Sequence, residues 1–249
     1  MDVEKITPYG DERDKGSQVE EMFDSIAPSY DFMNRAMTMG IDKLWRRKAV
    51  RTLTRLVPPP CAIVDIATGT GDLAISLARA LPEASVLGVD LSEGMLAVGR
   101  RKVAEAGLEE RIRFRRGDGL ALPVESDSAD AVTIAYGIRN FADIPGGYRE
   151  MLRVLRPGGV LAVLELSTPT QPVPAALYRL YTRTLIPLAG RIVSKDARAY
   201  TYLPESIAAV AQGERMTRIM SEAGFERCSF RPMTFGACTL YTAFKPEKN

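Results

Sequence analysis

The sequence predicts an α/β fold in which helices cover both faces of a mostly parallel sheet. Between residues 61 and 166, short β-branched or apolar runs alternate with helical patterns, which is typical of βαβ units. Residues 62–67 and 160–166 are nearly continuous apolar runs, as expected of strands that helices bury on both sides. The chain has 249 residues, and a single α/β domain of that size, residues 1–249, is the simplest expectation.

The first segment of the chain predicts helices ahead of the sheet. One helix is expected over roughly residues 17–34 and a second over 42–56, which the prolines at 58–60 end. We therefore predict a helical cap over residues 1–57.

The cofactor-binding core is predicted over residues 61–166. Its strands are expected at residues 62–67, 85–90, 111–118, 129–135 and 159–166, and its helices at residues 72–81, 92–107 and 148–155. The proline-containing residues 167–174 break this pattern, and residues 174–207 have a helical one. Residues 167–213 are thus predicted to be a helical insertion on the substrate side. A final helix near residues 214–223 and two strand-like runs, 225–233 and 237–244, complete a C-terminal unit over residues 214–249.

Composition excludes several function classes. The 33 Lys and Arg residues nearly balance 31 Asp and Glu, so the chain has no global field that favours nucleic acid or an anionic membrane. We interpret the basic clusters at 46–48, 100–102 and 113–116 as solvated faces. His is absent from the sequence, which excludes Ser-His-Asp triads, HExxH zinc sites and imidazole as a proton carrier.

Cysteine usage and hydropathy predict where the protein works. Cys61, Cys228 and Cys238 form no CxxC pair, and we interpret them as small buried residues in a reducing cytoplasm, with no metal expected. The first residues are polar, and no apolar run reaches the length of a membrane span. Residues 175–191 place apolar side chains beside cations. Core packing explains most of that pattern, and a lipid-facing entrance at the inner face of a membrane is the alternative.

Residues 64–74 carry the strongest motif, a strand that runs through a glycine turn into a helix. Gly69, Gly71 and Ala74 fit GxGxxG/A, and Asp90 ends the next strand 21 residues after Gly69. The spacing alone permits a dinucleotide. However, Asp72 lies at the helix start, where a pyrophosphate would bind.

Acidic residues around this turn favour a cationic ligand instead. Asp65 and Asp72 would repel a phosphate but attract S-adenosylmethionine, which carries an ammonium and a sulfonium. The alternative is that both residues only cap the turn and the helix. Asp90 is placed to accept both ribose hydroxyls, Asp118 to accept from the adenine amino group, and the Gly119 amide to meet a ring nitrogen. These additional residues favour the cofactor interpretation.

The sequence resembles the class I S-adenosylmethionine-dependent methyltransferases, and among them the menaquinone and ubiquinone biosynthesis C-methyltransferases. The motifs that carry this resemblance are YDFMN at 30–34 with GIDKLWR at 40–46, YGIRN at 136–140, RVLRPGG at 153–159 running to ELS at 165–167, and DARAYTYLPESI at 196–207. The resemblance covers nearly the whole chain. It implies a Rossmann-like sheet of seven strands with an antiparallel C-terminal strand. Many members carry His where this chain has Asp42, so a His there is not an indispensable base.

The resemblance implies C-methylation of a prenylated hydroquinone, converting demethylmenaquinol to menaquinol. The alternatives are the benzoquinol precursor of ubiquinone, another phenolic or sterol acceptor, a silent S-adenosylmethionine-binding module, or a Rossmann dehydrogenase. Residues 133–140 lack the Asp/Asn-Pro-Pro-aromatic pattern of many amine methyltransferases, so we expect no nucleic-acid substrate. Peripheral contact with a membrane and a homodimer are further hypotheses.

The candidate site residues divide into two groups. Arg139 and Asn140 follow the fourth strand, at the crevice where open α/β sheets bind ligands, and Arg139 is placed to stabilise a developing phenolate. Tyr30 and Tyr202 are expected to close the pocket, with ordinary packing as the alternative for both and a surface ion pair as the alternative for Arg139. Trp45 is interpreted as core. The predicted catalytic residues are Arg139, Asn140, Tyr30 and Tyr202. The predicted cofactor-binding residues are Asp65, Gly69, Thr70, Gly71, Asp72, Asp90, Leu91, Asp118, Gly119 and Ala135.

Overall fold

The computed structural model describes residues 3–56, 58–176, 178 and 198–247, with the backbone alone at residues 198–200. Within these residues, seven strands form one sheet in the order β3-β2-β1-β4-β5-β7-β6. Their bounds are β1 Ala62–Ile66, β2 Ser85–Asp90, β3 Ile112–Arg116, β4 Ala129–Ala135, β5 Leu155–Leu166, β6 Glu226–Met233 and β7 Cys238–Phe244. Strands β1 to β5 are parallel, and β7 pairs antiparallel with both β5 and β6. The predicted fold class is confirmed.

The strand order places a ligand crevice at the centre of the sheet. Strand β1 pairs with β2 on one side and with β4 on the other, so the order of strands along the sheet reverses between β1 and β4. Loops that leave the carboxyl ends of neighbouring strands separate at such a point and open a crevice. The glycine turn after β1 and the YGIRN segment after β4 both lie there.

Eight α-helices whose bounds lie within the described residues surround the sheet. Their bounds are α1 Lys15–Ile26, α2 Tyr30–Thr38, α3 Asp42–Leu53, α4 Asp72–Ala80, α5 Glu93–Glu105, α6 Ile144–Val154, α7 Arg198–Ala209 and α8 Glu214–Glu222. Side-chain caps start three of them, because the carboxylate or hydroxyl accepts an otherwise unpaired amide of the first turn. Asp14 caps α1, Ser92 caps α5 and Asp143 caps α6.

Apolar side chains form a core on each face of the sheet. Tyr148 and Met151 of α6 and Met216 and Met220 of α8 pack on one face. The other face is covered by α3 and α4, with Leu53 and Leu77 fully buried. Burial on both sides explains the near-continuous apolar runs of the central strands.

Three expectations need correction or fall outside the described chain. The helix predicted over 17–34 is wrong as a single element, because a 3-10 turn over Ala27–Ser29, which contains Pro28, separates α1 from α2. Cys61 is exposed rather than buried, because it precedes β1 at the sheet end away from the crevice. Most of residues 175–191 lies outside the described residues. Within the described part, no helix has both the length and the apolar character that a membrane crossing requires. The division into cap, core, insertion and C-terminal unit stays a prediction.

Candidate active site

A cleft lies at the carboxyl ends of β1, β2 and β4, where the strand order reverses. Six of the ten predicted cofactor-binding residues line it: Gly69, Asp90, Leu91, Asp118, Gly119 and Ala135. The predicted catalytic residues Tyr30 and Asn140 also line this cleft. The structure therefore brings together most of the residues that the sequence singles out, and we call this space the cofactor cleft.

Asp90 ends β2 and holds the glycine turn. One carboxylate oxygen accepts the Gly69 amide at 2.7 Å, and the other accepts the Ser92 amide at 3.0 Å. Each oxygen keeps a further lone pair for a ligand. Burial raises the pKa of Asp90 to about 6, so the group is ionised at neutral pH.

The two turn glycines have different roles. Gly69 has a φ of +56° and no atom within 4 Å of the position that a Cβ would take, so the turn is open to a ligand there. Gly71 has a φ of +78°, and a Cβ there would lie 2.6 Å from Cζ of Phe114. Gly71 does not line the cleft, and its lack of a side chain makes room for Phe114. Its contact with a cofactor stays a prediction.

A smaller polar cavity continues the cleft on the other side of the glycine turn. Asp65, Thr70 and Asp72, three of the remaining predicted residues, line this cavity rather than the cleft. Asp65 is buried and accepts the hydroxyls of Thr68 and Thr133, each at 2.6 Å. Burial raises its pKa to about 6.

Asp72, predicted to attract a cationic ligand, forms ion pairs with two basic residues of the protein. Its carboxylate lies 2.9 Å from Arg46 and 2.6 Å from Lys102. Burial alone would raise its pKa, but the charges of Arg46 and Lys102 hold the pKa of Asp72 below its ordinary value. Asp72 is therefore not an unpaired attractant for a cationic ligand. For the same reason, the interpretation of clusters 46–48 and 100–102 as solvated faces is wrong at Arg46 and Lys102.

A network of hydrogen bonds joins this cavity to the helical cap. Asp31 of α2 accepts the Thr70 hydroxyl at 2.6 Å and the Lys102 ammonium at 2.6 Å. Helix α2, which begins at Tyr30, is thus held against the glycine turn.

A second, larger cavity of about 640 Å³ adjoins the cleft. Its walls are mainly apolar and include four methionines: Met22, Met33, Met37 and Met39. Tyr30 and Tyr136 line both spaces, so the two cavities meet at these rings. Trp45 packs in the core, as expected, and is also a wall of this cavity, which was not expected. We call this space the acceptor cavity.

Arg139 is the buried cation of the acceptor cavity. Its Nη1 donates to Glu165 Oε1 at 2.9 Å and to the Tyr136 carbonyl, whereas its Nε is buried without a hydrogen-bond partner among the described residues. The residue is 6% exposed, so the surface ion pair considered as its alternative is wrong. Burial opposes the charge, but Glu165 raises the pKa of Arg139 and keeps it cationic. A buried donor without a partner indicates a ligand position.

Two tyrosines face Arg139 as neutral hydroxyls. Tyr202 of α7 donates to Asn140 Oδ1 at 3.0 Å. Burial raises the pKa of Tyr30 and of Tyr202 to about 12, so both remain protonated near neutral pH. Neither is placed as a base: Tyr30 can donate to a ligand, whereas Tyr202 already donates its one proton to Asn140 and can only accept.

Sequence reasoning missed Tyr136 and Glu165 as site residues. Tyr136 has a φ of +59°, and its buried hydroxyl has no partner among the described residues. Such a backbone conformation is costly for a tyrosine, and positions of this kind cluster at functional sites. Nothing in a single sequence signals it. Glu165 did carry a signal, because it is the one acid in the apolar run 160–166.

The model of the ubiE/COQ5 methyltransferase family matches residues 11–245 of this chain. The chain belongs to this family. A demethylmenaquinone methyltransferase of Bacteroides fragilis is 48% identical over 97% of this chain and 98% of that protein. A demethylmenaquinone methyltransferase of Deinococcus radiodurans is 44% identical over 98% of this chain and 100% of that protein. A ubiquinone/menaquinone biosynthesis C-methyltransferase UbiE of Geobacter sulfurreducens is 41% identical over 98% of this chain and 94% of that protein.

Solved structures show the same fold at low sequence identity. The [4+2]-cyclase SpnF has a TM-score of 0.68 at 18% identity and covers 94% of this chain and 97% of its own. The S-adenosylmethionine-dependent methyltransferase SibL has a TM-score of 0.60 at 22% identity, and the match covers 84% of this chain and 57% of SibL. A cyclase and a methyltransferase share this architecture, so the fold alone does not determine the reaction.

Asp42, which lies three residues before Trp45 at the start of α3, is a structural residue in this chain. It is fully buried, lies 2.7 Å from Arg46 and accepts the Thr38 hydroxyl at 2.9 Å. It does not line the acceptor cavity. Its role is to orient Arg46.

Replacing Tyr202 with phenylalanine should lower kcat by about 3- to 10-fold and leave cofactor affinity unchanged. The change removes one neutral hydrogen bond, to Asn140, worth about 0.5–1.5 kcal/mol. Steady-state kinetics with a quinol acceptor and calorimetry with S-adenosylhomocysteine measure the two effects.

Tyr241→Phe is the matched control for this change. Tyr241 is buried and its hydroxyl is hydrogen-bonded to the Gly213 amide, but it lines neither cavity. An unchanged kcat in Tyr202→Phe would show that the hydroxyl only contributes to packing.

Proposed function

We propose that this protein transfers a methyl group from S-adenosylmethionine to a ring carbon of demethylmenaquinol, forming menaquinol. The observation that carries the proposal is the junction of the two cavities at Tyr30 and Tyr136, with the partly unpaired guanidinium of Arg139 beside it. The names of the relatives, at 44–48% identity over nearly the whole chain, support this acceptor.

The residues of the cofactor cleft fit S-adenosylmethionine. Asp90 offers two carboxylate oxygens to adjacent ribose hydroxyls, and Gly69 leaves room beside the turn. Asp118 and Gly119 line the part of the cleft that we assign to adenine. When bound, this co-substrate supplies a methyl group made electrophilic by a positively charged sulfur.

The acceptor cavity suits a ring with an apolar tail. Its volume is within the range of small-molecule sites, and its methionines adapt to irregular ligands. Its rim exposes apolar side chains: Met39 is 77% exposed, Val173 69% and Phe235 75%. We propose that the prenyl chain leaves over this rim, and that the rim makes the peripheral contact with a membrane.

Arg139 and the tyrosines prepare the acceptor for attack. We propose that Arg139 donates to an acceptor hydroxyl and lowers the pKa of that hydroxyl. Once the hydroxyl has lost its proton to solvent, the resulting phenolate makes the ring electron-rich. Tyr30 and Tyr202, both protonated, orient the ring oxygens. Tyr30 acts as a donor, and Tyr202 acts as an acceptor because its own proton goes to Asn140. The apolar walls exclude water that would compete for the methyl group.

Product analysis tests the proposal. Purified protein is incubated with labelled S-adenosylmethionine and, in separate reactions, with reduced demethylmenaquinone and with the demethylated benzoquinol precursor of ubiquinone. We expect label in menaquinol. Equal or greater labelling of the benzoquinol would favour a second candidate function, C-methylation in ubiquinone biosynthesis. The name of the Geobacter sulfurreducens relative includes that pathway. Thermal stabilisation by NAD but not by S-adenosylmethionine would contradict both.

Only the reduced acceptor should be methylated. An oxidised quinone ring is electron-poor and has no hydroxyl to ionise, so it cannot attack an electrophilic methyl group. An anaerobic assay compares chemically reduced with oxidised demethylmenaquinone. The rate of the chemical step should also rise with pH until the bound hydroxyl is ionised. Equal methylation of both forms would contradict the mechanism, and a flat pH profile would contradict only its proton-removal part.

A further inference from the structure

Arg46 lies in the polar cavity that continues the cofactor cleft. This cavity is bounded by Asn34, Arg46, Asp65 and Asp72 and shares Gly69 and Ala135 with the cleft. A ligand that fills the cleft beside Asp90 therefore has a polar space open to its far end.

The guanidinium of Arg46 is buried but only partly used. The residue is 6% exposed, and its Nη2 lies 2.7 Å from Asp42 and 2.9 Å from Asp72. Within the described residues, the Nε and Nη1 groups of Arg46 donate no hydrogen bond. A nearly buried cation with free donors in a cavity indicates an anionic group of a ligand.

We propose that Arg46 binds the carboxylate at the methionine end of S-adenosylmethionine and of its product S-adenosylhomocysteine. This inference rests on the proposed function and adds a recognition element to it. Asp65 lines the same cavity and keeps lone pairs for the ammonium, although both its oxygens accept threonine hydroxyls. The two ends of the zwitterion thus meet opposite charges.

Lys102 and Arg35 offset the acidic groups beside Arg46. The arriving carboxylate lies near Asp72, which would repel it if that acid had no other partner. Lys102 lies 2.6 Å from both Asp72 and Asp31, and Arg46 pairs with both Asp42 and Asp72. The charge of Arg35 also lowers the pKa of Asp72, so three cations balance these three carboxylates before a ligand binds. Arginine suits the role because its planar fork matches a carboxylate with two parallel hydrogen bonds.

Calorimetry with two ligands isolates the proposed contact. The ligands are S-adenosylhomocysteine and 5′-methylthioadenosine, which keeps the adenine and ribose but lacks the amino-acid end. Arg46→Gln should weaken binding of S-adenosylhomocysteine by about 10- to 150-fold, as loss of a charge-assisted contact predicts. Its affinity for 5′-methylthioadenosine should stay within about twofold of wild type. Arg47→Gln, at the exposed neighbouring position of α3, should leave both affinities unchanged.

Each other outcome is decisive. Equal loss for both ligands, or no loss for either, would overturn the contact, because Arg46 would then act only through the fold. If the wild type bound neither ligand, the proposed function would fail and the contact with it. Should Arg46→Gln not fold, the wild type alone decides: decarboxylated S-adenosylhomocysteine must bind at least about tenfold more weakly than S-adenosylhomocysteine, and equal affinity overturns the contact.

Discussion

Replacing Arg139 with alanine is expected to lower kcat by about 100- to 1000-fold and to leave the affinity for S-adenosylhomocysteine unchanged. Arg139 lines the acceptor cavity but not the cofactor cleft, so its loss should affect the acceptor and not the cofactor. Its buried Nε has no protein partner among the described residues, which leaves a preorganised donor for the acceptor oxygen. Stopped-flow or quench-flow single-turnover assays with reduced demethylmenaquinone measure the chemical step directly.

A pH profile separates this role from a purely structural one. If Arg139 lowers the pKa of the bound hydroxyl, the alanine variant should need a higher pH to reach its maximal rate. A structural defect would lower the rate equally at every pH. Loss of cofactor binding, or wild-type turnover, would show that the assigned role is wrong.

The buried partner of Arg139 requires its own control. Removing the cation alone leaves the Glu165 carboxylate buried and unpaired, which destabilises a protein by about 3–5 kcal/mol. The double variant Arg139→Met with Glu165→Gln removes both charges and should fold better while remaining as slow. Arg149→Ala, at an exposed position of α6, should keep wild-type rates.

The sequence predicted those strands and turns whose positions depend on residues close together in the chain. Strands β2 and β4 occupy the predicted residues, because alternating apolar runs between turn residues report burial directly. The glycine turn and Asp90 were also found, since their spacing along the chain sets their geometry. Pro28 was a visible signal for the break between α1 and α2, but the helical periodicity outweighed it.

Contacts between distant segments could not be predicted from the sequence. Lys102 meets Asp31 across 71 positions of sequence, so nothing local distinguishes this buried network from a solvated basic cluster. The same holds for Arg46 and Asp72, whose pairing depends on how α3 packs beside the start of α4. The positive φ of Tyr136 results from tertiary constraint, which residue preferences do not encode.

Replacing Asp90 with alanine should weaken binding of S-adenosylhomocysteine by at least about 100-fold, because two hydrogen bonds to a charged group contribute about 1.5–3 kcal/mol each. Calorimetry on the folded variant measures this, with Asp143→Ala, which removes an exposed cap of α6, as the control. A loss below about tenfold would exclude Asp90 as the ribose ligand.

The raised pKa of Asp90 adds a pH test with a defined direction. Because this pKa is about 6, wild-type affinity should fall as the pH drops below 6 and the carboxylate gains a proton. Unfolding does not explain such a loss: a carboxyl whose folded pKa lies above its unfolded value of 3.8 contributes more stability, not less, as the pH falls from 6 to 4. Asp65 also has a pKa of about 6, so the comparison needs Asp90→Asn, which keeps Asp65 and removes the titration of Asp90. The variant should show a flatter profile than the wild type, and identical slopes in both proteins would assign the pH dependence to Asp65.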